Sequence, residues 1–515
     1  MAVGNAYMRS LQRNTPKRRS KMLYDSSKPI DNYDSSVKEY DVIFIGGGAG
    51  GRFGSSYLRA MGGEQLTIDK DDHLGGKCPK NACVIHHYLF DIAVELDFAR
   101  LFDNKKWYPK IPASNGKVEI VPMIRDFLEG RNHAYDYMYY QSKNQLGVKF
   151  ILNRKAEILD KNTVGVEGKI FKTKNLVIGT GSRAAIPNVP GKDIKGVYTY
   201  EDFLDLDYEP KDVVVVGASK TGIPWASFFN AVGCNTTLVE MSPLLSAFDL
   251  DEDVKEYVIE GMKFRGMRIM DNTMLMGING NGLVESVTVR GKDGNEETIK
   301  ADMVFLGTGC IPNSEVAKPL DIQIGKRNEI VIDRTMKTTT SGVYAIGDVT
   351  GGPMEMWKAR KAGMVAAKNI LGIHAELDTD FFPDFLHTTY EITWIGMTEK
   401  EAREKLEKVF VIRMPVKDYP SHLPIPLAER SMLLSHIHPG LNGMQKAIYD
   451  AETRRLVGAQ HVGYGGKDSF QYLEYMIRKR ITIDEMANLN ELFINPTHFI
   501  QLSRLRAGMK SLVDF

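Results

Sequence analysis

An α/β fold built on two copies of one strand–turn–helix–strand unit is predicted by three observations. Tyr40–Ile45 (YDVIFI) is a short, apolar, β-branched run that enters a glycine-rich turn. The same pattern returns at Asp212–Val216 (DVVVV). Each turn leads into a helical pattern and then into a second apolar strand that ends on an acid. Strands alternating with helices in this way read as parallel sheets covered by crossover helices.

Composition narrows the function classes. The 515 residues suffice for several domains with their own cores. Lys and Arg number 66 against 65 Asp and Glu, a net charge of +1. That balance gives no attraction to nucleic acid or to an anionic membrane, so neither is an expected partner. Apolar runs such as 213–216 are far too short to span a bilayer. Four cysteines do not make a disulfide scaffold, so a cytoplasmic setting is expected, in which a disulfide is catalytic rather than structural. Residues 1–20 hold Arg9, Arg13, Lys17, Arg18 and Arg19 and no acid. They lack a Leu-rich amphipathic stripe and contain Pro16, so a polar arm over 1–38 is expected rather than a presequence.

The first unit carries G-x-G-x-x-G at Gly46, Gly48 and Gly51, then a helical pattern over 52–61 and a strand Gln65–Ile68. Asp69 follows 23 residues after the first glycine. The glycines let backbone approach a pyrophosphate, the helix N-terminus holds its charge, and the acid accepts from ribose hydroxyls. The second unit repeats this at Gly217, Ser219 and Gly222, with the strand Asn235–Val239 and Glu240, again 23 residues on. Ser219 replaces the middle glycine and makes close approach less free. Glu240 accepts from an adenosine ribose and repels a 2′-phosphate, which favours NADH over NADPH. Further apolar strands, 175–178, Met303–Leu306 and 343–346, break at Gly179-Thr180-Gly181, Gly307-Thr308-Gly309 and Gly347-Asp348 respectively.

The stretch 75–87, GGKCPKNACVIHH, holds Cys78 and Cys83. The residues leave three readings: a redox pair, a structural staple, or zinc ligands with His86 and His87. The chain offers no second Cys/His pair at ligand spacing, so no metal centre is expected. Cys234 and Cys310 stand alone beside strands and read as small core residues.

Taken in this order, the motifs resemble the flavoprotein disulfide reductases, the family of glutathione reductase and dihydrolipoamide dehydrogenase, over residues 39–515. The resemblance implies a glutathione reductase-like α/β chain with two Rossmann-like units: an FAD-binding domain from 39–205 and 329–375, an NAD(P)-binding domain from 206–328, and a C-terminal α+β dimerisation domain from 376–515. It implies that FAD is held by Gly46, Gly48, Gly51, Asp69, Lys77, Thr180, Gly181 and Asp348, the last on the ribityl chain. NADPH or NADH falls to Gly217, Ser219, Gly222 and Glu240. Electrons then pass from reduced nicotinamide through FAD to a Cys78–Cys83 disulfide. Cys83 is the thiol against the flavin and Cys78 the outward, attacking thiol. Lys77, Lys80, His86 and His87 are candidates to supply the positive charge that a thiolate needs. The active site is shared across a homodimer.

Disulfide reductases of this family end in H-P-T-x-x-E, a His–Glu pair that protonates the leaving thiolate. Here residues 493–500 read FINPTHFI. Aligned on Pro-Thr, the pair becomes Asn495 and Ile500; shifted by two residues, it becomes Phe493 and His498. Either register removes an acid–base group worth about 10²–10⁴-fold. One branch of the family, the carboxylating 2-oxopropyl-coenzyme M reductases, is similar at CPKNACVIHH, GGPMEMWKARKAG, HVGYGGKDSFQYL and LFINPTHFIQLSRLRAG. It implies attack of Cys78 on a coenzyme M thioether, followed by capture of the released enolate by CO2. Phe493 then keeps the pocket aprotic, and His498 and Gln501 hold developing negative charge. Arg52 and Arg360 clamp the sulfonate, and Met432 makes an apolar contact beside the carboxylation pocket. Three departures from the family pattern follow. His87 and Pro224 replace a Lys–Glu pair near the flavin, with Trp225 at a nicotinamide-stacking position. Glu240 runs against a preference for NADPH. Lys80 replaces a His between the cysteines. Two other readings stand beside this one: reduction of another disulfide or thioether, and a flavin-binding protein without turnover.

Overall fold

A computed structural model describes residues 30–102, 118–379, 381–414, 443–490 and 498–509. It divides into two compact units: 1–80 with 125–181 and 312–377, and 81–124 with 182–311 and 378–515.

The first unit is built on an eight-stranded sheet. Tyr40–Ile45 lies parallel between Gln65–Ile68 and Lys169–Ile178, and Val343–Ala345 adds in parallel beyond the latter. Val42, Ile43 and Phe44 are fully buried, the pattern expected of a parallel strand covered on both faces. The strand read from sequence as 175–178 begins earlier, at Lys169. Its first half alternates exposed and buried and pairs antiparallel with Thr163–Val166; only its end is continuously buried. Within the segment expected as a polar arm, Ile30–Asp31 forms an edge strand against Phe150–Leu152. Residues 1–29 lie outside the described residues.

On one face of this sheet the helix Ala49–Ala60 crosses the helix Met356–Ile370 at backbone contact. A Cβ on Gly363 would come within 2.1 Å of the Gly50 carbonyl oxygen. The helix after the first glycine turn is thereby fixed against the helix that carries Arg360.

The second unit contains a parallel sheet in the order Arg268–Met270, Asn235–Val239, Asp212–Val216, Met303–Leu306, Val197–Tyr198. The helix Gly222–Ala231 packs on it and is buried along nearly its whole length. The C-terminal segment forms an antiparallel sheet in the order Asp384–His387, Glu391–Gly396, Arg455–Val462, Met444–Asp450, Val409–Met414. Gly466–Arg478 covers this sheet, and Phe499 packs edge-on against Phe470. No helix among the described residues is long and apolar enough to cross a membrane.

Met444–Asp450 is buried on both faces, and Lys446 is buried with it. Its ammonium lies 2.9 Å from Asp251, 3.1 Å from Asp253 and 2.6 Å from Glu399. Burial works against its charge, but the Glu399 hydrogen bond and the charges of Asp251 and Asp253 raise its pKa above the ordinary 10.5. Burial likewise pushes Glu399 up, but Lys446 and Arg403 hold it below the ordinary 4.5. Glu399 therefore contributes stability that is present above about pH 4.5 and lost as pH falls through its lowered pKa. The Lys446 contribution is complete below 10.5 and lost as pH rises through its raised pKa. Arg413 also pairs with Asp253 (2.8 Å) and Glu399 (3.1 Å), so Lys446→Met chiefly leaves the buried Asp251 without a cation and should destabilise the protein by about 3–5 kcal/mol. Denaturant unfolding of the variant beside the parent checks this.

Candidate active site

The first glycine turn has the shape a pyrophosphate needs. A Cβ on Gly51 would sit 1.9 Å from the Gly46 carbonyl oxygen, so the helix starts against the strand end with no room for a side chain. A Cβ on Gly48, by contrast, would meet nothing closer than the Gly76 Cα at 3.9 Å. That opening lies at the mouth of the helix Ala49–Ala60, whose N-cap is Gly48 and carries no side-chain cap. Asp69 ends its strand almost fully buried. One of its carboxylate oxygens accepts from the Gly47 N–H (2.5 Å) and the other from the Asp71 N–H (2.9 Å). Burial pushes its carboxyl up, against the pull of those two N–H groups. Thr180 and Gly181 are tied to Asn313: the Thr180 hydroxyl donates to the Asn313 carbonyl (2.8 Å), and the Asn313 N–H donates to that of Gly181. Asp348 is half-buried in the 3₁₀ turn Gly347–Thr350, and Lys77 is half-buried at the start of the short helix Lys77–Asn81. An open glycine cradle at a helix N-terminus, with a buried acid at the next strand end, fits the adenosine diphosphate half of FAD.

Cys78 lies in the same unit, its sulfur 3.3 Å from that of Met356. Met356 opens its helix, and Arg360 follows one turn later on the same side. The guanidinium carbon of Arg360 lies 4.8 Å from the centre of the Phe53 ring, and that of Arg52 5.9 Å from it. The two cations thus share one aromatic ring. Burial, and then the charge of Arg360, lower the pKa of Arg52. Arg52 donates to the Gln141 side-chain oxygen and to the Ser142 hydroxyl (3.1 Å), both in the π-helical turn Gln141–Gln145. The Nε of Arg360 is buried and has no hydrogen-bond partner among the described residues. A buried orphan donor beside a second guanidinium is costly until an anion arrives to accept from it.

Two of the charges expected near the thiol go elsewhere. Lys80 is committed to Asp71 at 2.8 Å. His86 shares a hydrogen bond with the fully buried His387, Nε2 to Nδ1 at 3.2 Å, and His387 stacks on Phe90 at 4.0 Å. Burial holds both imidazoles below their ordinary pKa, so at neutral pH this pair carries no charge. Cys83 opens the helix Cys83–Phe102, which places His86 and His87 one turn along on its face. Among the described residues no group of three His, Cys, Asp or Glu side chains is arranged to hold a metal.

The second glycine turn repeats the first with altered chemistry. Glu240 accepts from the Ala218 N–H (2.7 Å) and the Ser242 N–H (2.9 Å), which holds its carboxylate at the strand end where a ribose arrives. Trp225, placed by sequence at a nicotinamide-stacking position, is a core residue instead. It is 2% exposed and stacks on Phe305 at 4.3 Å, with Phe203 edge-on at 4.4 Å. Pro224 sits in the first turn of its helix, where a missing N–H is tolerated. Of the two isolated cysteines, Cys234 is buried as expected, whereas Cys310 is half-buried near the Tyr200 hydroxyl.

Met432, Phe493 and Asn495 lie outside the described residues, as do the side chains of His498, Ile500 and Gln501 in the helix His498–Ala507. Sequence reasoning missed Met356 against Cys78, Phe53 between the arginines, and the Gln141–Ser142 anchor of Arg52. The i, i+4 spacing of Met356 and Arg360 was the one available signal.

Residues 40–363 match the pyridine nucleotide-disulphide oxidoreductase family, and 382–504 match its dimerisation domain. A mercuric reductase of Bacillus cereus is 24% identical over 475 residues, which cover 92% of this chain and 72% of the relative. A dihydrolipoyl dehydrogenase of Rhizobium etli is 27% identical over 487 residues, covering 90% and 96%. The solved structure of the HOCl-induced flavoprotein disulfide reductase RclA from Escherichia coli shares the fold. Its TM-score is 0.75 at 20% identity, with 90% of this chain and 98% of that one covered. The family's cofactors are FAD and NAD(P)H. With both family domains matched in order, this chain belongs to the pyridine nucleotide-disulphide oxidoreductases and is a flavin-dependent oxidoreductase of the disulfide reductase type.

Proposed function

We propose that this enzyme cleaves the thioether of 2-oxopropyl-coenzyme M and carboxylates the product to acetoacetate. The observation that carries the reading is the pair Arg52 and Arg360 on Phe53, one with an orphan donor, on the helix whose first residue touches Cys78. A pair of guanidinium forks suits a sulfonate terminus, and the adjoining methionine suits the apolar thioether.

FAD, when bound, would pass the electron pair of a reduced nicotinamide nucleotide to the Cys78–Cys83 disulfide and open it. The Cys78 thiolate attacks the thioether sulfur and forms an S–S bond to coenzyme M. The C–S bond breaks, and its electron pair leaves as the enolate of acetone. The enolate carbon bonds CO2 to give acetoacetate. The Cys83 thiolate then attacks the sulfur of Cys78, releases coenzyme M thiolate and restores the disulfide. No step requires a proton, and a proton delivered to the enolate diverts it to acetone. Phe493 in place of a general acid fits that need, and His498 with Gln501 supplies donors for the oxyanion and carboxylate. The neutral His86–His387 pair and the commitment of Lys80 to Asp71 are consistent with the same requirement. The assignment of FAD to 39–205 and 329–375, of nucleotide to 206–328 and of a homodimer contact to 376–515 belongs to the same proposal, as does a cytoplasmic setting.

With 2-oxopropyl-coenzyme M, a reduced nicotinamide nucleotide and bicarbonate, the purified enzyme should form acetoacetate and free coenzyme M in equal amounts. Acetone alone, or no turnover beside rapid reduction of a simple disulfide, overturns the reading. Phe493→His should shift product from acetoacetate toward acetone, measured as the product ratio at fixed bicarbonate. Arg360→Gln should raise KM for the sulfonate substrate about 10- to 150-fold, the loss expected for a charged hydrogen bond, with a smaller effect on kcat.

A further inference from the structure

The two glycine turns differ in what fills the mouth of the following helix. At the first, the N-cap is Gly48 and the space beside it is open. At the second, the Ser219 hydroxyl occupies it. That hydroxyl donates to the Gly307 carbonyl (2.7 Å) and accepts from the N–H groups of Thr221 (3.0 Å) and Gly222 (3.1 Å). One donor and two acceptor sites are all a serine hydroxyl has, so its capacity is exhausted. The next N–H, of Ile223, donates to the Ser219 carbonyl at 3.1 Å, and Pro224 has none. The Ala218 N–H is taken by Glu240. Four backbone donors around this helix start, the N–H groups of Ala218, Thr221, Gly222 and Ile223, are therefore held by the loop's own groups.

We infer that Ser219 is a built-in competitor for the nucleotide pyrophosphate: its hydroxyl must leave the Thr221 and Gly222 N–H groups before a nicotinamide nucleotide can seat on the second unit. The consequence is weaker, exchangeable nucleotide binding there, beside a first turn whose donors face an open cradle. The Gly307 carbonyl keeps the hydroxyl aimed inward, because it is the acceptor for the hydroxyl's only proton. A glycine at 219 would leave the helix N-terminus uncapped in the free enzyme and ready for phosphate. The serine thus acts as a positioning residue on nucleotide affinity, with no part in the chemistry at the disulfide. The inference rests on nucleotide binding by the second unit, not on the identity of the thioether substrate.

The test uses the flavin-loaded oxidised enzyme and ADP-ribose, which carries the pyrophosphate and both riboses but no nicotinamide and supports no turnover. Isothermal titration of the parent, S219A and S219G should show both variants binding more tightly. About two- to tenfold is expected in S219A, the range for the net worth of hydrogen bonds that no longer have to be broken. Flavin content, measured alongside, reports retention of the fold; S219G restores the residue used at the first turn. Unchanged or weaker binding in S219A, with flavin retained, overturns the inference: the hydroxyl would then bind the phosphate rather than compete with it. Absence of ADP-ribose binding in all three proteins also overturns it. The first result leaves the acetoacetate assay untouched, and under the second that assay is run with dithionite in place of the nucleotide, so the two proposals fail separately.

Discussion

The constraint on which the structure depends is the close crossing of a strand end and a helix start at each glycine turn. At the first turn a Cβ on Gly51 would stand 1.9 Å from the Gly46 carbonyl oxygen. At the second, a Cβ on Gly222 would stand 1.7 Å from that of Gly217. Nothing larger than hydrogen fits, so each helix begins directly over the end of its sheet and its first N–H groups point out beyond the strands. The crossing also sets what lies behind. Because Gly50 and Gly54 let the first helix meet Gly363 at backbone distance, Arg52 and Arg360 stand on neighbouring turns of two touching helices. The arginine pair is thus placed by Gly50, Gly54 and Gly363, small residues on and facing the same helix that the glycine turn begins.

Much of this was legible in the sequence because it is written in local patterns. Tyr40–Ile45, Gln65–Ile68, Asp212–Val216, Asn235–Val239 and Met303–Leu306 have the bounds that their apolar runs indicate. A buried parallel strand must be apolar throughout, and a turn must follow it, so both ends are marked. Lys169–Ile178 was read short because its first half alternates, an edge pattern that a search for buried runs passes over. The carboxylates at the strand ends were legible for the same reason: they stand at a fixed distance from a glycine.

What was not legible depends on partners far away in the chain. Lys80 looks like a cation beside a thiol until Asp71 is seen to hold it. His86 looks like another, but His387, more than 300 residues on, shares its hydrogen bond and burial keeps both neutral. Trp225 follows a dinucleotide turn and so looks exposed to a ligand; its place in the helix turns it into the cluster of Phe203, Phe229 and Phe305. In each case the residue type was read correctly and its charge or accessibility was not. Both are set by tertiary neighbours and not by spacing.

These neighbours share a direction. A reductase that must protonate a leaving thiolate gains from cations and titrating imidazoles near its cysteines. Here the lysine between the cysteines is ion-paired to Asp71, the histidine one turn past the second is held neutral, and a thioether sulfur lies against the first. Arg52 and Arg360 do not give up a proton near neutral pH, so they attract an anion without acting as acids. Electrostatic attraction and proton supply are normally delivered by the same lysines and histidines. The proposed reaction would separate them, with guanidinium providing the first and the second withheld. An enolate that must survive long enough to meet CO2 needs that separation, whereas a thiol–disulfide exchange gains nothing from it.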